Sequence, residues 1–150
     1  MKIGIGCDQN AYNLKMVVVK HLREKGIEVI DYGCNEGEEV LYPAVAYTVA
    51  KEVAAGVFDR AILICGTGIG MAITANKVHG VRAACCHDVY SAERARKSND
   101  AQIMTMGAEI VGNALATSLV DAWLGSEFAG GRSKPKVDLM IKIDDEQRGH

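Results

Sequence analysis

The chain has 150 residues, of which 49% are hydrophobic and 24% charged, as expected for one ordinary globular domain. Its net charge of -2, the low aromatic content of 5% and the lack of a basic stripe argue against a nucleic-acid partner. No apolar run reaches the length of about twenty residues that a membrane helix needs, and the N-terminus does not resemble a signal peptide. We therefore expect one cytoplasmic domain over residues 1–150, without a membrane partner.

Short apolar runs alternate with amphipathic segments along the chain. The apolar runs predict five strands, at Lys2–Cys7, Ile27–Asp31, Ala61–Cys65, Val81–Cys86 and Ala101–Met106. The amphipathic segments predict six helices, at about 11–25, 43–55, 70–77, 89–97, 111–124 and 137–146. A helix after every strand predicts an α/β fold, with a parallel sheet covered by helices on both faces.

The third predicted strand ends in the stretch CGTGIG, at residues 65–70. A glycine loop that enters a helix offers backbone N–H groups to a phosphate or to an oxyanion that forms during a reaction. The same setting favours a thiolate, so Cys65 is a candidate nucleophile or general base. The alternative is that Cys65 is a small core residue and that Gly66, Gly68 and Gly70 only permit tight packing. The glycine spacing alone does not decide between the two.

Ligands of parallel α/β sheets bind beyond the carboxyl ends of the strands. We expect three segments to meet there: the loop after Cys7, the loop after Cys65, and the segment around Ser98-Asn99.

The five cysteines show no CxxC spacing, so we expect reduced thiols. Cys85-Cys86-His87 invites comparison with a metal site, but neighbouring residues of a strand point to opposite faces of the sheet. We therefore expect small buried thiols here, and neither a metal nor another cofactor.

Six ordered segments resemble one known family. They are GCDxxxxxLK at 6–15, Tyr42-Pro43, ILICGTGIG at 62–70, ANKxxGxRAA at 75–84, YSAExxRxxND at 90–100 and GGR at 130–132. Together they are similar to ribose-5-phosphate isomerase B and the galactose-6-phosphate isomerase subunits, over essentially the whole chain. The resemblance implies a Rossmann-like three-layer αβα sandwich with a five-stranded parallel sheet and a C-terminal helix. It also implies a homodimer or homotetramer with shared active sites, and metal-free aldose–ketose isomerisation of a sugar phosphate through a cis-enediolate.

The resemblance also implies roles for particular residues. Cys65 is expected to move a proton between two carbons, Thr67 to handle the proton on oxygen, and the amides of Gly66, Gly68 and Gly70 to hold the enediolate oxygens. The other residues expected to contact the substrate are Asp8, Gln9, Tyr42, Ser98, Asn99, Arg132 and Lys136.

Four positions depart from the family pattern. Gln9 and Ser98 stand where histidines are expected, and Glu109 and Lys136 where arginines are expected. Serine does not replace imidazole as an acid or base at neutral pH, so ring opening of the sugar is not provided for. A tetrose 4-phosphate has no furanose ring to open, which favours interconversion of D-erythrulose 4-phosphate and D-erythrose 4-phosphate. A carboxylate at Glu109 opposes a bound dianion unless a cation such as Arg132 or Lys136 pairs with it.

Three other functions stay open from the sequence. One is isomerisation of ribose 5-phosphate and ribulose 5-phosphate. Another is a non-catalytic sugar-phosphate-binding subunit of a heteromer, although the intact CGTGIG stretch favours catalysis. The third is a hydrolase with Cys65 as its nucleophile, which the lack of a clear cysteine–histidine motif disfavours.

Overall fold

The computed structural model describes residues 1–149, so His150 lies outside the described part of the chain. Its strands form one parallel five-stranded sheet and are β1 (Lys2–Cys7), β2 (Glu28–Asp31), β3 (Arg60–Cys65), β4 (Ala83–Cys85) and β5 (Ile103–Gly107). Their order across the sheet is β2-β1-β3-β5-β4. The predicted parallel sheet is confirmed.

Helices cover both faces of the sheet. They are α1 (Tyr12–Glu24), α2 (Tyr42–Ala54), α3 (Ile69–Ala75), α4 (Val89–Lys97), α5 (Asn113–Leu124) and α6 (Lys134–Arg148). Helices α1, α4 and α5 contribute to the core on one face, and α2 and α3 to the core on the other. The α/β fold with three layers and a C-terminal helix is confirmed. No helix within residues 1–149 has the length and apolar content that crossing a lipid bilayer requires.

The central strand β3 places the cysteine of the glycine loop. All six of its residues are buried, as expected for a strand covered on both faces. Ile62 and Ile64 pack into the core beneath α1 and α5, whereas Leu63 and Cys65 pack into the core beneath α2 and α3. The Cys65 side chain therefore stands at the carboxyl end of the central strand, on the α2–α3 face.

Several element boundaries differ from those predicted. Asp8 caps a short 3-10 turn, Gln9–Ala11, through a hydrogen bond from the Asn10 N–H, and α1 begins only at Tyr12. Strand β4 is shorter than the apolar run from which it was predicted, because the N–H of Val81 donates to a turn carbonyl rather than to the sheet. Helix α6 begins three residues early, at Lys134, since the proline that follows it is well tolerated in the first turn of a helix.

The amino edge of the sheet is anchored by a buried arginine, the first residue of β3. The Arg60 guanidinium donates to the carbonyls of Trp123, at 2.9 Å, and Ser126, at 3.1 Å, and it pairs with Glu127 at 2.6 Å. Carbonyls at the end of a helix lack intrahelical donors, so these bonds satisfy the end of α5. The anchor ties the last turn of α5 to the start of the central strand.

Helix α6 is attached mostly by polar contacts. Val137 is its one buried residue among those described, and Leu139 and Ile143 are exposed. Near the end of the helix, the Asp144 carboxylate accepts the Gly80 N–H at 2.7 Å. These contacts hold α6 against the loop between α3 and β4.

Candidate active site

A cleft of about 300 Å³ opens at the carboxyl ends of β1 and β3. It is lined by Asp8, Asn10, Tyr42, Cys65, Gly66, Thr67, Gly70 and Glu109. Six of these eight residues were expected to contact substrate or catalyse the reaction. Asn10 was not, and Glu109 was considered only as a carboxylate that opposes a bound dianion. The signal for Asn10 was its position in the loop that follows β1, one of the segments expected to meet at the site.

Cys65 forms part of the cleft wall, with only 4% of the residue exposed. Its Sγ accepts the backbone N–H of Gly68 at 3.2 Å. Its own carbonyl accepts the N–H of Ala108 at 2.8 Å, which fixes the backbone on the other side. Because a hydrogen bond to an anion is stronger than one to a neutral acceptor, the Gly68 N–H suits a thiolate at this position.

Two glycines of the loop are required by their neighbours. Gly68 has a φ of +77°, and a Cβ there would lie 2.7 Å from the carbonyl carbon of Met106. A Cβ at Gly70 would lie 2.3 Å from the ring of Tyr42. Close packing therefore explains glycine at both positions. It also keeps the loop pressed against β5 and α2, with the remaining glycine, Gly66, facing the cleft.

Thr67 and the first amides of the loop present unused hydrogen-bonding groups to the cleft. The Thr67 Oγ1 accepts the N–H of Ile69 at 3.3 Å, which leaves the hydroxyl hydrogen available to a substrate oxygen. Within residues 1–149, the N–H groups of Gly66 and Thr67 have no acceptor. The loop therefore combines a thiol, a hydroxyl donor and two open amides within consecutive residues.

Asp8 supplies a carboxyl group opposite this loop, at the end of β1. It is 5% exposed, and its Oδ1 accepts the Asn10 N–H at 3.1 Å. Its own N–H donates to the Ile64 carbonyl at 3.3 Å, which joins the two strand ends. The Asp8 side chain is therefore held in place beside Cys65.

Glu109 brings a second carboxyl group to the cleft. Its N–H donates to the Gly66 carbonyl at 3.0 Å, and its side chain lies over the same glycine. Neither Arg132 nor Lys136 pairs with it within the described part of the chain. The pairing considered from the sequence is therefore not made within one chain.

Ser98 and Asn99 lie at the opposite edge of the sheet from Cys65. They follow the last turn of α4, where the Arg82 Nε donates to the Asn99 carbonyl at 3.2 Å just before β4 begins. The Ser98 Oγ accepts from Arg94 Nε at 2.8 Å. The expectation that this segment meets the loop after Cys65 is wrong for a single chain, because a helix that follows a parallel strand runs back to the amino edge.

The other expected contacts also lie outside the cleft. The Gln9 Oε1 accepts the N–H of Val40 at 3.0 Å, so this side chain faces the loop that follows β2. Arg132 lies in the 3-10 turn Gly131–Ser133, and Lys136 in the first turn of α6, and both are exposed.

The adjacent thiols Cys85 and Cys86 have different surroundings. Cys86 is buried in the core as expected, but the expectation of a buried thiol is wrong for Cys85. The exposed Cys85 lies on the other face of the sheet, with its Sγ 3.6 Å from the Thr67 carbonyl, because neighbouring residues of a strand point to opposite faces. Burial raises the pKa of Cys86 to about 12, so this thiol is a core group. Among residues 1–149, no three His, Cys, Asp or Glu side chains are grouped as a metal site would require.

A family model described as Ribose/Galactose Isomerase matches residues 3–140. The chain belongs to this family. It is 63% identical over 148 residues to ribose-5-P isomerase B of Listeria innocua, with 99% of this chain and 100% of the relative covered. It is 52% identical over 141 residues to D-erythrulose-4-phosphate isomerase of Pectobacterium atrosepticum, with 93% of each covered.

Among solved structures, ribose-5-phosphate isomerase B of Clostridium thermocellum superposes with a TM-score of 0.95. It is 46% identical, and the match covers 98% of this chain and 99% of that one. The protein is therefore a sugar-phosphate isomerase of this family, an enzyme that interconverts aldoses and ketoses.

One contact of the isomerase was not foreseen from the sequence. The His87 Nε2 accepts the backbone N–H of Gly107 at 3.0 Å. Gly107 pairs with Cys65 across β3 and β5, and a Cβ on it would lie 2.5 Å from the Thr67 Cα. His87 therefore fixes the backbone on which the glycine loop rests. Its only signal in the sequence was its position just after the fourth strand.

Proposed function

We propose that this isomerase interconverts D-erythrulose 4-phosphate and D-erythrose 4-phosphate. The observation that carries the proposal is Ser98, which takes the place of a histidine and whose hydroxyl is bound by Arg94. A serine does not supply the acid–base chemistry that opens a sugar ring at neutral pH. A tetrose 4-phosphate has no such ring, because its O4 is esterified. The relative from Pectobacterium atrosepticum is named for this four-carbon substrate.

The proposed reaction runs through an enediolate. The Cys65 thiolate takes the proton from the carbon beside the carbonyl group and returns it to the former carbonyl carbon. One C–H bond breaks and another forms, so the composition of the sugar phosphate does not change. The Thr67 hydroxyl moves the proton between the two oxygens, and the free N–H groups of Gly66 and Thr67 stabilise their negative charge. This assignment rests on the placement of all three residues in one cleft.

We also propose that a second copy of the chain completes each site, in a homodimer or homotetramer. The cleft lining of one chain contains Asp8 and Glu109 but no lysine, arginine or histidine. A phosphate dianion needs cations, and the exposed Arg132 and Lys136 are the candidates that the family pattern provides. Ser98 and Asn99 likewise reach a site only on a neighbouring chain. In this arrangement Gln9 borders the site beside Asp8.

A five-carbon substrate is the second candidate. The relative from Listeria innocua, at 63% identity, is named ribose-5-P isomerase B. If this chain acts in the same way, ring opening must occur without an imidazole at residue 98, by another residue or in free solution.

A rate comparison over sugar phosphates of four, five and six carbons tests the proposal. We expect kcat/KM to be at least about tenfold higher with D-erythrulose 4-phosphate than with D-ribose 5-phosphate, because rejection of a poorly fitting substrate is worth at least about 1.4 kcal/mol. Equal or better turnover of the pentose overturns the four-carbon assignment. Binding without turnover of any sugar phosphate indicates a non-catalytic subunit.

A variant pair refines the test. Ser98→His restores the group that the family pattern expects, so ribose 5-phosphate turnover should rise relative to that of the tetrose. Ser118→His places the same imidazole on the exposed surface of α5 and should change neither rate. If both variants behave alike, residue 98 does not control the choice of substrate.

A further inference from the structure

The polar groups of the cleft have an uneven charge distribution. Two of its eight lining residues, Asp8 and Glu109, carry carboxyl groups, and none carries a basic side chain. Cys65 adds a third negative charge whenever its thiol is ionised. A phosphate dianion without a paired cation is therefore repelled from the part of the cleft that these side chains surround.

Two backbone hydrogen bonds hold the main chain at Glu109 in place. Its N–H donates to the Gly66 carbonyl at 3.0 Å, and the N–H of the next residue, Ile110, donates to the Gly107 carbonyl at 3.0 Å. A Cβ at residue 66 would lie 3.4 Å from the Glu109 Cδ and 3.5 Å from its Oε1. The carboxyl group thus lies directly over the loop whose amides are open to a substrate.

We propose that Glu109 determines which end of the substrate enters the Cys65 end of the cleft. Its carboxylate accepts hydrogen bonds from sugar hydroxyl groups and repels a phosphate dianion from the space above Gly66. The phosphate consequently lies away from the glycine loop, toward cations that the cleft of one chain does not contain. This inference rests on the proposed function, since it assigns an orientation to the same sugar phosphate.

Two contacts distinguish Glu109 from Asp8 in this role. The Asp8 carboxylate already accepts the Asn10 N–H at 3.1 Å, with the Asn10 Nδ2 at 3.5 Å from its other oxygen. Within residues 1–149, no lysine, arginine or backbone N–H binds the Glu109 side chain. Glu109 is also exposed, so its oxygens are free to meet a hydroxyl group without a burial cost.

Alkylation of Cys65 measures the charge effect without requiring catalysis. Iodoacetamide is neutral and iodoacetate is an anion, and the rate of each at Cys65 is followed by mass spectrometry of the peptide that contains it. In Glu109→Gln, we expect the iodoacetate rate, divided by the iodoacetamide rate, to rise about fivefold. That factor corresponds to removing one unit charge about 4 Å away in water. In Glu109→Arg, the ratio should rise further.

A matched control and a second readout complete the experiment. Glu28→Gln removes an equal charge from an exposed position on β2 and should leave the ratio unchanged. In steady-state assays with D-erythrulose 4-phosphate, competitive inhibition by inorganic phosphate should tighten in Glu109→Gln and more so in Glu109→Arg. An unchanged reagent ratio or unchanged phosphate inhibition overturns the inference.

The two readouts separate this inference from the proposed function. If the wild-type protein turns over no four-carbon sugar phosphate but the reagent ratio still changes as expected, the four-carbon assignment fails and the charge effect of Glu109 stands. If turnover is normal and the ratio is the same in all variants, the proposed function stands and the role of Glu109 fails.

Discussion

The backbone N–H of Gly68 donates to the Sγ of Cys65 across a distance of 3.2 Å. Gly68 is itself held by the Thr105 hydroxyl, which donates to its carbonyl at 2.7 Å. A sulfur that accepts a fixed N–H at the edge of a cleft is oriented before substrate arrives. Such orientation is what a carbon-to-carbon proton transfer requires, because the base must face two neighbouring carbons in turn.

Replacing Cys65 with alanine should remove the base and leave the fold intact. We expect exchange of the substrate hydrogen with solvent deuterium to fall by about 100-fold or more, the usual contribution of a general base. Sugar-phosphate binding, measured by calorimetry, should persist. Cys85→Ala is the matched control, since that thiol lies outside the cleft lining. Exchange that continues in Cys65→Ala shows that another group is the base.

Two glycines with the same backbone conformation allow the cost of a positive φ to be measured separately from the cost of a steric clash. Gly68 and Gly56 have φ values of +77° and +76°, but only at Gly68 does a Cβ meet another atom, the Met106 carbonyl carbon at 2.7 Å. Gly56→Ala should cost about 1–2 kcal/mol of unfolding free energy, the penalty for a left-handed residue with a Cβ. Gly68→Ala should cost about 1–3 kcal/mol more, because backbone atoms do not move aside easily.

Urea unfolding, followed by circular dichroism, measures both glycine variants. If the two substitutions cost the same, the loop moves away from β5 without penalty, and the close packing assigned to Gly68 is incorrect. In that event the Cys65 orientation also loses its support.

Two buried thiols make stability depend on pH in the alkaline range. Burial, as the largest cause, raises the pKa of Cys7 and of Cys86 from 9.0 to about 12. Well below pH 9, at about pH 8 and lower, both thiols are protonated in the folded and unfolded states, so they have no effect on the pH dependence. Above it the unfolded chain loses these protons first, and the free energy of unfolding falls by up to about 1.4 kcal/mol per pH unit for each group.

Comparison of slopes tests the alkaline effect. The unfolding free energy of Cys86→Ala should fall less steeply than that of the wild type between pH 9 and 11. Val111→Ala truncates another buried side chain of the same core but removes no titratable group, so its slope should match that of the wild type. Identical slopes in all three proteins contradict the raised pKa of Cys86.

The end of α6 should loosen when its link to the α3–β4 loop is removed. Asp144 accepts the Gly80 N–H at 2.7 Å and pairs with Arg148 at 3.2 Å. Asp144→Ala should lower the local stability by about 1 kcal/mol, which makes amide hydrogen exchange in α6 about fivefold faster. Asp138→Ala removes only a contact to Lys134 within the helix and should have a smaller effect. Equal exchange in both variants contradicts the link.

Much of the fold was predictable because it depends on local patterns. Runs with the period of a strand or of a helix gave all five strands and all six helices to within a few residues. The cleft was predictable in part for the same reason. Asp8 directly follows β1, Cys65 ends β3, and these two buried strands pair. Residues that immediately follow neighbouring strands meet at one edge.

The order of the strands was not predictable from local patterns. Strand β5 lies between β3 and β4, so Gly107 is the neighbour of Cys65 although 42 positions separate them in the chain. Pairing between distant segments depends on the packing of the whole sheet rather than on the residues of either strand. That pairing also brings Glu109 over Gly66. The location of Ser98 was predicted wrongly. Ser98 is close to β5 in the sequence, but it precedes that strand and therefore lies near its amino end rather than its carboxyl end.

The anchor at Arg60 and the thiol at Cys65 occupy the two ends of one strand. The polar contacts that join the end of α5 to the sheet therefore lie about five residues, or about 17 Å, from the chemistry. Side chains around the thiol can change without disturbing that anchor. Relatives named for sugars of four and five carbons are accordingly compatible with a single shared scaffold.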